Sequence, residues 1–225
     1  MQMTQIALAS ALLAAASLAQ ANTTHDAFTD VAGSASFDGW NQINRSGLGC
    51  TTSACSTAQL VAGITANVAG SGDAVLKRES GDHYPAGFGL YGGNSVLSFT
   101  DTTLAASIGT LVFQGIVNDF SGTGFGLTLS YNGGSQALAA TSVSSVLTNG
   151  VADYYRYTFD LSNLGALNSY TLSMNAGFSQ MLAFQVDQVA AAAPVPEPSS
   201  YALLASGLGV IGWLARRRSV PGNRA

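Results

Sequence analysis

Apolar and polar residues alternate with period two over several stretches of this chain. In "GFGLTLSY", Phe125, Leu127, Leu129 and Tyr131 share one face, and Gly126, Thr128 and Ser130 share the other. In "YYRYTFDL", Tyr155, Tyr157, Phe159 and Leu161 oppose Tyr154, Arg156, Thr158 and Asp160. "YTLSMNA" and "MLAFQVDQV" repeat the pattern through Tyr170, Leu172 and Met174 and through Leu182, Phe184 and Val186. Each predicts a strand with one buried and one wet face. "GTLVFQGIVND" is longer and more apolar, as a central strand would be. Glycine and asparagine clusters ("SGTG", "NGG", "TNG", "SNLG") separate these runs as turns. No stretch between residues 22 and 189 carries a long capped stripe of helical period. The pattern predicts an all-β fold, an antiparallel β-sandwich of jelly-roll-like type.

Two apolar segments flank this body. Ile6 to Leu18 is followed by Ala19-Gln20-Ala21. That is the layout of a secretory signal peptide over residues 1–21, with the mature chain starting at Asn22. No lysine or arginine precedes Arg45, so only the α-amino group charges its start. At the other end, "AAAAPVPEP" (190–198) predicts an extended, semi-rigid linker after the body at 22–189. Ser199 to Ala215 is uncharged and predicts a single transmembrane helix of ~26 Å, just short of a ~30 Å hydrocarbon core. Arg216, Arg217 and Arg218 follow as a stop-transfer cluster, which places the short tail 219–225 in the cytoplasm and the body outside.

Composition agrees. Charged residues make up 9 % of the chain, and 26 residues are glycine. The body holds four basic residues against eleven acidic ones, a net charge of −7. Nucleic acid is therefore not an expected partner. Cys50 and Cys55 in "GCTTSAC" are expected to form a disulfide in an oxidising compartment, worth about 2 kcal/mol. They offer only two ligands at a spacing unlike that of zinc sites.

Val195-Pro196-Glu197-Pro198, an apolar helix and an arginine cluster together resemble a PEP-CTERM sorting signal, here spanning 195–218. The resemblance implies processing by exosortase, a membrane enzyme of Gram-negative bacteria. The chain would be held in the inner membrane with its body in the periplasm. It would then be cut near Pro-Glu-Pro and passed to the cell surface or extracellular matrix. Signal peptidase would act first, and association with exopolysaccharide and biofilm is implied. The closing strands, "FDLSNL" and "FSQMLAFQVDQ", are similar to bodies of the same family.

The body itself offers little chemistry. "GFGLYGG" matches a dinucleotide fingerprint in letters but lacks its strand–helix context and reads as a turn. Glu79 and Asp82 in "KRESGDHYP" are a candidate acid/base pair, weighed against a solvated turn, and His83 lacks an evident nucleophile. Asp26, Asp30, Asp38 and Asp187 are candidate ligands of a structural calcium. Trp40, Tyr84 and Tyr91 are candidate sugar-stacking aromatics, weighed against core positions. The expectation is a non-enzymatic matrix or surface protein without a cofactor. A carbohydrate-binding module and a secreted glycan hydrolase are the alternatives.

Overall fold

The computed structural model describes residues 28–122, 124–148, 152–191 and 198–218. The expected signal peptide, Asp26, most of the linker with Val195, Pro196 and Glu197, and the 219–225 tail lie outside the described residues. The chain divides into two compact units, Met1–Ala191 and Ala192–Ala225.

The first unit contains β1 (Ser34–Trp40), α1 (Ser53–Ala62), β2 (Ile64–Thr65), β3 (Val75–Ser80), β4 (Tyr84–Pro85) and β5 (Leu90–Gly92). It continues with β6 (Ser95–Asp101), β7 (Ile108–Asp119), β8 (Phe125–Tyr131), β9 (Leu138–Ala139) and β10 (Ser142–Thr148). β11 (Ala152–Asp160), β12 (Tyr170–Ala176) and β13 (Ser179–Ala190) complete it. One sheet has the order β10-β11-β7-β13-β5-β4, and β1 also pairs with β13; the other has the order β2-β3-β6-β12-β8-β9. All pairings are antiparallel. The two sheets form the expected all-β sandwich. From β6 to β8, and again from β11 to β13, successive strands change sheet. Neighbours within a sheet are therefore mostly distant in sequence.

Alternation puts one face of each strand into the interior. Leu97 and Phe99 of β6, Leu111 and Phe113 of β7, Leu172 and Met174 of β12 and Phe184 and Val186 of β13 meet there. Phe99 lies at its centre, with ring centroids 5.3 Å from Trp40, 5.2 Å from Phe113 and 5.0 Å from Phe184. Trp40 is fully buried, and its Nε1 donates to the Ile64 carbonyl at 2.9 Å. This corrects its expected place among the sugar-stacking aromatics: its indole presents no face to solvent.

The body also contains a helix that its periodicity does not announce. At ten residues, α1 is too short for a clear stripe and buries only Ser56 and Leu60. Local chemistry sets its ends. Thr52 caps the start by accepting from the Cys55 amide at 3.3 Å, and Gly63, at φ +118°, closes the last turn. Cys50 and Cys55 are disulfide-bonded, as expected, which ties the preceding loop to the first turn.

In the second unit, α2 spans Pro198–Arg218. It runs past the expected 199–215 span to include the arginines. Among the described residues, no helix is long and apolar enough to cross a membrane, so the expected span is not confirmed. Gly207, Gly209, Gly212 and several serines dilute the hydropathy of α2.

One buried acid gives the body a pH dependence. Asp38 of β1 is buried, accepts from the Ala74 amide at 3.1 Å and faces Asp101. Burial is opposed by that amide but reinforced by the charges of Asp101 and Asp73, and the pKa rises to about 6. The folded state thus keeps a proton that the unfolded chain releases near 3.8. Stability should fall as pH rises from that value through about 6. Urea midpoints measured across this range should decline, and Asp38→Asn should flatten the slope. An unchanged slope in the variant would assign the effect to other groups.

Candidate functional site

A row of side chains crosses the outer face of the first sheet at one end. Tyr84 of β4 pairs with Tyr91 of β5, Tyr91 with Gln180 of β13, and Gln180 with Asn118 of β7. Cross-strand partners share a face, so the row runs Tyr-Tyr-Gln-Asn on the side away from the core. Their inward neighbours Leu90, Met181 and Val117 are fully buried. Asn118 Nδ2 donates to Gln180 Oε1 at 3.0 Å.

Two loop phenylalanines extend this row. Phe120 follows β7 and Phe178 precedes β13; they are 54 % and 46 % exposed. Their rings are 5.4 Å apart, and Phe178 lies 5.4 Å and Phe120 6.3 Å from Tyr91. Tyr84 stands edge-on to Tyr91 at 6.3 Å. The loops are fastened to each other, since the Phe120 and Ser121 amides both donate to the Phe178 carbonyl. Asp119 anchors the first by accepting from Ser121 and from the Gly122 and Gly124 amides. Slight burial opposes its charge, but these donors hold its pKa below the ordinary carboxylate value. Tyr84 also borders an open groove of about 870 Å³ along α1, lined by Ala54, Thr57, Ala58, Val61, Arg78 and Asp82. The structure thus brings Tyr84 and Tyr91 together and adds Phe120 and Phe178. Sequence reading passed over these two because they sit among turn residues, outside any alternating run.

The other candidates are engaged elsewhere. Of "KRESGDHYP", "KRES" is the end of β3, and Gly81-Asp82 form the exposed turn between β3 and β4. In β3, Glu79 accepts from Ser98 Oγ at 2.7 Å and pairs with Lys77 at 3.4 Å. Asp82 accepts from the Gly93 amide at 2.6 Å. Each carboxylate thus has a structural partner. His83 is fully buried, with Nε2 3.1 Å from Ser179 Oγ. Ser179 Oγ also lies 3.1 Å from the Gly177 carbonyl, to which it donates its single proton. When both bonds form, the imidazole is the donor and Ser179 cannot be activated by it. Nδ1 is buried without a partner among the described residues, so no acid orients the ring.

The glycines of "GFGLYGG" allow close backbone packing. A side chain at Gly89 would meet the Met181 carbonyl, and one at Gly92 would meet the His83 backbone. β5 occupies this stretch and β6 follows it, so the strand–glycine loop–helix order of a dinucleotide site is not formed here.

Of the described calcium candidates, Asp30 and Asp187 meet at the Gln185 amide, and Asp38 lies on the opposite face of the sheet. Asp38 is paired with Val186, a core residue, and faces the interior. Asp187 is on the opposite face, where it accepts from Gln114, Gln185 and the Val31 amide, while Asp30 accepts from Gln185. Among the described residues, no group of three or more histidine, cysteine, aspartate or glutamate side chains is placed to hold a metal. Next to this network, Phe28, Asp30, Gln114, Tyr154 and Arg156 line a second groove of about 600 Å³.

Architecture and surface together define an all-β sandwich with an exposed aromatic patch and a separate C-terminal helix. Residues 194–218 match the PEP-CTERM protein-sorting motif. The chain therefore carries the signal of an exported protein targeted to exosortase through a membrane-anchored intermediate. No curated protein and no solved structure matches the chain. Of the motif's residues, Pro198 begins α2 and Arg216, Arg217 and Arg218 end it.

Burial, against the attraction of Asp82, lowers the His83 pKa below its ordinary 6.5. A nitrogen-15 NMR titration of the imidazole should place its midpoint below that value. A midpoint at or above it would mean that the ring is wet or acid-paired, and the buried-donor assignment would fail.

Proposed function

We propose that this is a non-enzymatic structural protein of the cell surface or extracellular matrix, delivered there by exosortase and associated with exopolysaccharide and biofilm. The observation that carries the reading is the sorting motif at 194–218, in a unit separate from the folded body. In this reading α2 is a temporary membrane segment. Its glycines make it marginal as a permanent anchor, which suits a segment to be handed to a membrane protease. Three prolines within residues 194–198 bias the sequence at the cut toward the extended form that a protease cleft accepts. The strand order supports a jelly-roll reading of the body: β1-β13-β7-β11 faces β6-β12-β8-β9.

A second reading, a carbohydrate-binding module, is favoured by the patch. Exposed aromatic rings beside a Gln–Asn pair offer apolar faces for sugar rings and amides for their hydroxyls. It is compatible with the first, since a matrix protein held on exopolysaccharide needs such a surface. The hydrolase reading has less support, because Glu79 and Asp82 each serve a local structural bond.

Replacing Glu197 by Ala in a host with an exosortase tests the sorting role. The variant should accumulate as a longer, membrane-bound species while its body folds normally, and cell fractionation reads the shift. Unchanged release into the medium would contradict exosortase processing.

A further inference from the structure

Two sheets have ends, and three of those ends are blunted. β2, β4 and β9 are two residues long, and β4 contains Pro85. β1, the extra strand beside β13, is covered on its free side by the loop that follows α1 and β2. The Asn67 and Val68 amides donate to the Gly39 carbonyl, and the Gly72 amide to that of Phe37. These are ordinary protections against edge-to-edge association.

The fourth end is different. β10 is seven residues long and pairs with β11 without a register break from Ser142↔Thr158 to Thr148↔Ala152. Its other side meets no strand among the described residues. It contains no proline, lysine or bulge. Ser142, Val143, Ser144 and Ser145 are exposed, Val143 to 57 %. No charged residue occurs between Asp119 and Asp153.

The sequence of β10, "SVSSVLT", is also self-complementary when run against itself. An antiparallel pair centred on Ser145 sets Ser145 opposite Ser145, Val143 opposite Leu147, Ser144 opposite Val146 and Ser142 opposite Thr148. This is the isologous geometry of a two-fold pair, in which one edge serves both copies. Charge favours the same location. Two bodies of net charge −7 repel each other, and β10 is a long edge on which they can meet without opposing carboxylates.

We propose that β10 is a self-association strand, joining the first sheets of two copies into one continuous sheet through antiparallel β10–β10 pairing about Ser145. The occupant is a second copy of this chain. The contact is small and belongs to the weak class of interfaces. It therefore forms where copies are concentrated, as on a membrane surface or in a matrix. The inference is independent of what the aromatic patch binds.

Sedimentation velocity of the full chain in mild detergent, over a concentration series, should show a reversible monomer–dimer equilibrium. Ser145→Lys places two ammonium groups opposite each other and should weaken association about tenfold or more, while Ser145→Thr retains it. A short bis-maleimide linker should join copies of the Ser145→Cys variant faster than those of Ser162→Cys, an exposed control position. The native cysteines are bonded to each other and do not compete. Three results would each overturn the proposal: a monomer at every concentration, association unaffected by Ser145→Lys, or equal linking rates at positions 145 and 162.

Discussion

The body depends on one contact, the packing of four fully buried aromatic rings between its sheets. Phe99 supplies the second sheet's side, and Phe113, Phe184 and Trp40 supply the first. The chain is rich in glycine, serine, threonine and alanine, which cover little apolar area. A few large residues must therefore hold the two layers together. Because successive strands change sheet, these rings also fasten segments far apart in sequence. Trp40, Phe99 and Phe184 come from β1, β6 and β13, so the layer cannot close until both ends of the body are in place.

Around that core the buried polar groups have few alternatives. Asp38 and Asp101 share a site at the edge of the interior, and Gln188 donates to Asp101 at 2.6 Å. His83 spans from Ser95 to Ser179. On the outer face, Asp187 is ringed by the amides of Gln114 and Gln185. These groups would be costly to bury unpaired, so each admits one strand register and rejects its neighbours. The residues that look catalytic by type are thus largely spent on fixing the fold. Among the described residues, the aromatic patch and the β10 edge are exposed surfaces suited to association.

Period-two alternation announced β8, β11, β12 and β13, and a long apolar run announced β7; the expected wet face of β13 is instead buried, its Gln185 and Asp187 being held in hydrogen bonds. Alternation was weaker for β6, where the second face is buried too and "SVLSFT" reads as mixed. Helix α1 was illegible because ten mostly small residues with two buried positions leave no stripe; its evidence is the Thr52 cap and Gly63. Trp40 was ambiguous in sequence, since large aromatics serve cores and platforms alike, and only the indole bond to Ile64 resolves it. Phe120 and Phe178 could not be found by periodicity, because loop geometry rather than strand spacing brings them to Tyr91. The tail was legible for the opposite reason: its signal is a linear motif read by another protein, and no fold is needed to assemble it.

The central claim is that export and sorting are separate from the body and are removed with the ends of the chain. Intact mass spectrometry of the protein recovered outside the producing cell tests it most directly. The account predicts a species that begins at Asn22 and ends near Pro196-Glu197-Pro198, without α2. An extracellular species that still contains "GWLARRR" would contradict it.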